Sequence, residues 1–183
     1  YLMWPETEGN LRNLMENMSH KAAKYKRKVD FGLRVHVVVR ETEEEAYEYA
    51  ESIISKLDLD IGQELRERAL DEQSYGVSRQ KEMREQSSRD GYVEPHLWTG
   101  IGKARSGCGA ALVGNPDQIV EKLNRYMDMG IRSFILSGYP NLDECNRFAE
   151  LVLPRLQTFS MPQIQGKTSK KVPLSPLANG IRV

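Results

Sequence analysis

Apolar residues fall at every second position of segment 31–40: Phe31, Leu33, Val35, Val37 and Val39. That is the period of a strand, and it places these five on one face. Gly32, Arg34, His36, Val38 and Arg40 take the other. If helices cover the apolar face, Arg34 and His36 point into the interior of a sheet or barrel, where charge is costly to hold. A strand with its charged face in water would show the same pattern, so the strand alone leaves both arrangements open.

Helical spacing surrounds it. After the short apolar start Tyr1-Leu2-Met3-Trp4, the sequence Pro5-Glu6-Thr7 opens a helix whose buried stripe is Leu11, Leu14, Met15, Met18 and Ala22. The basic run 24–28 closes it, as suits the negative end of the helix dipole. Thr42 and Glu45 form a capping box, followed by Ala46, Tyr49, Ala50, Ile53, Ile54 and Leu57 at helical spacing. Asn115, Pro116 and Gln118 supply N-cap, first turn and third position of another helix. Ile119, Val120, Leu123, Tyr126 and Met127 are its apolar face, and Gly130 suits its end. Residues 131–137 read as a third strand. Asn141 then caps the last helix, with Cys145, Phe148, Ala149 and Val152 inward.

Two stretches break the pattern. Residues 59–90 are crowded with charge and poor in apolar residues, which predicts a polar helical insertion. Gly100-Ile101-Gly102-Lys103-Ala104-Arg105-Ser106-Gly107-Cys108-Gly109 matches neither phosphate-binding fingerprint. It reads as a mobile loop carrying Arg105. From Phe159 onward acidic residues are absent, so 159–183 is expected to be a flexible tail. The expected organisation is one domain over 1–158, with an insertion or lid at about 59–110, and that tail.

Strand, helix, strand, helix, insertion, helix, strand, helix is βα repetition, which implies a parallel sheet. Three strands cannot be covered on both faces and closed, and a (β/α)₈ barrel needs about 250 residues. With 183 residues, the chain reads as the C-terminal three βα units of a (β/α)₈ TIM barrel, a partial barrel. It opens inside a strand without Met, so it is expected to be a fragment and unstable alone.

Composition narrows the partners. Lys plus Arg and Asp plus Glu each number 26, so a zero net charge gives no reason to expect nucleic acid or an anionic membrane. No apolar run approaches a membrane span. Cys108 and Cys145 are too far apart in sequence for a metal pair and make no disulfide framework. They read as packing residues in a reducing, cytoplasmic setting.

In a barrel, sites lie at the C-terminal ends of the strands. Trp4 ends the first strand, Arg34 and His36 line the second, Tyr139 follows the third, and Arg105 lies on the glycine-rich loop. Two guanidiniums, an imidazole, a phenol and an indole suit a planar aromatic cofactor and an anionic substrate. With no carboxylate pair, His-Glu metal cluster or Ser-His-Asp order, hydrolysis and metal chemistry are set aside. Each of these side chains also has a structural reading, as barrel ion pair, core histidine or aromatic plug.

Segments 31–42, Ala111-Leu112-Val113-Gly114-Asn115 and Phe134-Ile135-Leu136-Ser137-Gly138-Tyr139-Pro140 resemble the flavin-dependent alkanesulfonate monooxygenases of the bacterial-luciferase-like superfamily. The resemblance runs to about residue 156. It implies a (β/α)₈ barrel with a late insertion, and reduced FMN (FMNH₂) delivered by an NAD(P)H-dependent FMN reductase. It further implies O₂-dependent cleavage of an organosulfonate to aldehyde and sulfite, in a homo-oligomer. By position it implies that Arg34 and Arg105 hold the sulfonate and the negative charge developed at the flavin. His36 and Tyr139 would orient substrate and assist proton movement, and Trp4 would line the pocket. The insertion and the Arg105 loop would exclude water. Asn141 stands where the family usually has His, and most flavin contacts would lie in strands this chain lacks. A superfamily enzyme for a sulfone or a long-chain alkane, and a non-catalytic flavin-binding remnant, remain as alternatives.

Overall fold

The computed structural model describes residues 1–58, 60–62, 64, 74–104 and 109–159. The 31–40 segment is the centre of the fold. Strand β2 (Phe31–Val39) is its longest strand, and both of its edges are occupied. β1 (Leu2–Met3) pairs with it in parallel at Gly32 and Leu33. Higher on the same edge, β5 (Ala111–Gly114) pairs in parallel with residues 36–39. β6 (Ile131–Ser137) runs in parallel along the other edge, with Arg34 beside Ile135 and His36 beside Ser137. Beyond β5 the sheet turns antiparallel through β4 (Leu97–Trp98) and β3 (Tyr92–Glu94).

Six strands therefore form one sheet, where the sequence pattern shows three. β3, β4 and β5 have two to four residues each, too short for a period to register. They lie in or just after the stretch read as a lid, so that stretch is not wholly an excursion. Leu97, Trp98 and Ile101 are buried in it. The glycine-rich run likewise opens as a 3₁₀ turn, Gly100–Lys103, with its first three residues buried. A Cβ at Gly100 would lie 2.1 Å from the Trp98 indole. These glycines allow close packing and are not, up to Lys103, a mobile loop.

The two faces of β2 carry separate apolar clusters. Leu33, Val35, Val37 and Val39 pack with Leu11 and Met15 of α1 (Glu8–Lys24) and with α4 (Pro116–Asp128). Ile119, Leu123 and Tyr126 of α4 are fully buried there, the two aliphatic side chains each stabilising the fold by roughly 1.5–3 kcal/mol. On the other face Val38 meets Ala111, Val113, Trp98 and Ile101 under α2 (Glu43–Ile54). Ala46 and Ala50 are fully buried, and their small side chains bring that helix close to the sheet.

Local signals are realised at both capping boxes, Thr42 with Glu45 and Asn115 with Gln118. Helix α5 (Asn141–Leu151) differs: Pro140 is its N-cap and Asn141 its first residue, with no side-chain cap bond. Cys145 is exposed and is not a packing residue. The charged stretch contains α3 (Tyr75–Gln86), which is docked and not merely solvated. Gln80 Nε2 donates to the Pro5 carbonyl at 2.9 Å, Arg79 pairs with Glu6 at 2.8 Å, and Met83 is buried. The tail from residue 160 lies outside the described residues. Among the described residues no helix is long and apolar enough to cross a membrane.

Candidate functional site

Parallel neighbours share a face, so the inner face of the sheet can be followed residue by residue. It carries Leu2, Gly32, Arg34 and His36 together with Ser133, Ile135 and Ser137. Arg34 lies half-buried in β2 beside Ile135, which is itself 49% exposed. Two residues further, His36 is only 2% exposed. Its Nδ1 lies 2.8 Å from Ser137 Oγ, which fixes the plane of the ring.

Tyr139 joins this group from the loop between β6 and α5. Its ring centroid lies 5.5 Å from that of His36, with the planes inclined by 39°. The Tyr139–Pro140 peptide bond is cis. Two of the expected site residues, His36 and Tyr139, thus meet where β6 ends, and Arg34 lies two residues before His36 on the same face of β2. Trp4 directly follows Met3, the partner of Leu33 and last residue of β1. Its indole packs on α3, where a Cβ at Gly76 would come within 3.1 Å of the ring. Arg105 lies outside the described residues.

Sequence reasoning passed over two participants. Arg40 reads as one more charge on the inner face, yet it is buried and pairs with Glu144 at 2.8 Å. Tyr49 reads as helix stripe, yet its hydroxyl donates to the Tyr139 carbonyl at 2.9 Å. The partners lie 104 and 90 residues away in sequence, and no local pattern announces contacts of that range. Ser137 belongs to the Ser-Gly-Tyr-Pro motif, the one signal that pointed to it.

A second charged cluster lies apart, at the packing of α1, α4 and β3. Lys122 is 4% exposed and bridges Glu8 at 2.8 Å and Glu94 at 2.7 Å. Arg125 completes it on Glu8 at 2.7 Å. Burial opposes ionisation of Glu8, but hydrogen bonds and charge from Lys122 and Arg125 outweigh it and hold the carboxyl below its ordinary value. All four groups satisfy one another, which marks a structural clamp.

A sheet whose central strands run parallel, the helices packed on it and a histidine-tyrosine pair where β6 ends define an α/β protein of the TIM-barrel kind, spanning part of a barrel. The family model for luciferase-like monooxygenases matches residues 1–133, and the chain belongs to that family. It is 54% identical over 182 residues to the sulfoquinovose monooxygenase of Agrobacterium fabrum, covering 100% of this chain and 47% of that protein. A sulfoquinovose monooxygenase of Novosphingobium aromaticivorans is 54% identical over 156 residues, covering 85% and 43%. The chain spans about half the length of these relatives. Among solved structures, the riboflavin lyase RcaE superposes with a TM-score of 0.56 at 13% identity, covering 92% of this chain and 39% of that one. The long-chain alkane monooxygenase LadA gives 0.54 at 18%, covering 93% and 37%. Such low identities show the fold alone.

Proposed function

We propose that the complete protein is an FMNH₂-dependent monooxygenase that cleaves the carbon–sulfur bond of a sulfonate, and that the sulfonate is carried on a sugar. The alkanesulfonate expectation gives way to a sulfosugar because two relatives at 54% identity bear the name sulfoquinovose monooxygenase. The single structural observation that carries the reading is the His36–Tyr139 pair at the end of β6, with Arg34 two residues before His36 on the same face of β2.

The residues fit a flavin and an anion. Imidazole, phenol and, one strand over, indole offer flat surfaces of the kind a tricyclic ring stacks on. The guanidinium offers a planar fork matched to sulfonate or phosphate oxygens. When bound, reduced FMN supplies the two electrons with which O₂ is divided, one atom entering the carbon that departs as aldehyde and the other becoming water.

The chain's own residues do the rest. Arg34 binds the sulfonate and balances negative charge beside it. His36, its Nδ1 oriented by Ser137, presents Nε2 to the reacting region as a proton carrier. The Tyr139 ring closes the side of the pocket next to His36 and orients substrate, with Trp4 on the neighbouring strand as a further wall. Arg105 provides a second cation on the glycine-rich stretch. Helix α3, anchored on Pro5 and Glu6, excludes water from the strand ends. An NAD(P)H-dependent FMN reductase supplies the reduced flavin, the complete protein self-associates, and the reaction takes place in the cytoplasm.

The test is sulfite release by the full-length protein with FMN, a reductase, NAD(P)H and air. Sulfoquinovose is expected to yield sulfite faster than octanesulfonate. No sulfite from either, with a sulfone or an alkane consumed instead, would overturn the proposal.

A further inference from the structure

Arg40 follows directly on β2 and is 8% exposed. Its Nη2 donates to Glu144 Oε1 at 2.8 Å and its Nη1 to Glu144 Oε2 at 3.1 Å. Nη1 also donates to the Val39 carbonyl at 2.6 Å. The guanidinium carbon lies 3.5 Å from the centre of the Tyr49 ring, so the cation is held in plane by a carboxylate and on its face by an aromatic. Tyr49, seated this way, donates its hydroxyl proton to the Tyr139 carbonyl at 2.9 Å.

One cation thereby ties the end of β2, helix α2 and helix α5 around the loop that carries Tyr139. Gly138 lets α5 come this near: a Cβ there would lie 2.4 Å from Glu144 Cβ. An apolar trio of equal volume would hold these elements together as firmly. What a forked ion pair adds is direction, and the direction it sets is that of the Tyr49 hydroxyl.

Resting on the monooxygenase reading above, we propose that Tyr49 is a positioning residue. Its hydroxyl, aligned by Arg40 and Glu144, holds the Tyr139 backbone so that the Tyr139 ring faces His36 at the observed angle. Tyr49 touches neither substrate nor flavin in this scheme; it acts through Tyr139.

Tyr49→Phe in the full-length protein deletes the hydrogen bond and keeps the ring on Arg40. The expected result is a fall in kcat for sulfite release on the order of tenfold, as small misplacements at a reacting centre produce. KM for the sulfonate and the melting temperature stay near wild type. The His36 imidazole NMR signals, assigned by their loss in His36→Asn, are expected to shift in the ligand-free variant as the neighbouring ring moves. Arg40→Lys keeps the charge, loses the fork and is expected to show the same two changes. Wild-type kcat and unmoved His36 signals in Tyr49→Phe would overturn the proposal. If the wild type releases no sulfite from any sulfonate, the functional reading fails. A shift of the His36 signals would still uphold the link from Tyr49 through Tyr139 to His36.

Discussion

His36 and Tyr139 face each other across the ends of β2 and β6, with ring centroids 5.5 Å apart, while Ser137 Oγ holds His36 Nδ1 at 2.8 Å. A histidine fixed at one nitrogen by a hydroxyl, with an aromatic wall on its flank, is set up to present its other nitrogen in one direction. His36→Gln in the full-length protein is therefore expected to lower kcat for sulfite release about a hundredfold, the range of a lost general acid–base group. Steady-state sulfite assays would show it. A change below about threefold would reduce His36 to a packed core side chain.

The Arg40–Glu144 pair is buried on both sides, with side chains 10% and 4% exposed. Removing one partner leaves the other charged and without its counterion away from water. Glu144→Ala is expected to destabilise the protein by roughly 3–5 kcal/mol, read from denaturant unfolding. Loss of less than about 1 kcal/mol would mean that water reaches the pair.

Acid should loosen the clamp around Lys122. The folded Glu8 carboxyl titrates below its ordinary value of 4.5, so its stabilising contribution is complete above that pH. It is lost as pH falls from about there through the lower folded value, because the unfolded chain binds the proton first. Unfolding free energy is expected to drop in this window for the wild type and less steeply for Glu8→Gln. Identical slopes in the two proteins would remove Glu8 from the acid response.

Gly100 is required by contact. Its missing Cβ would overlap the Trp98 indole at 2.1 Å, and Trp98 is 2% exposed. Gly100→Ala must displace a buried tryptophan between α2 and β5, at a cost of about 1–3 kcal/mol or more. Thermal melting with tryptophan fluorescence would report both the loss and the displaced ring. An unchanged melting temperature would show that the 3₁₀ turn shifts freely.

Much of the candidate site was legible in the chain. The two-residue period of 31–40 set Arg34 and His36 on the face opposite Leu33, Val35, Val37 and Val39, and the structure keeps that separation. The Ser-Gly-Tyr-Pro motif at the end of a strand marked Tyr139. Illegible were the supports: Arg40 looked like any charge on that face, and Tyr49 like any aromatic in a helix stripe. Their roles depend on Glu144 and Tyr139, brought near by the packing of α5 and α2 about β2.

By itself the sequence determined what local physics can encode: strand and helix periods, both capping boxes, the two faces of β2, and the βα order. The tertiary structure alone decided how many strands the sheet has. It also decided that the glycine-rich run begins as packed core, that α3 docks on the segment after β1, and that one buried cation braces the Tyr139 loop. The reason is range. Periods and caps act over three or four residues and are written where they act. Two-residue strands, close glycine contacts and ion pairs spanning a hundred residues acquire meaning only when packing supplies the partner.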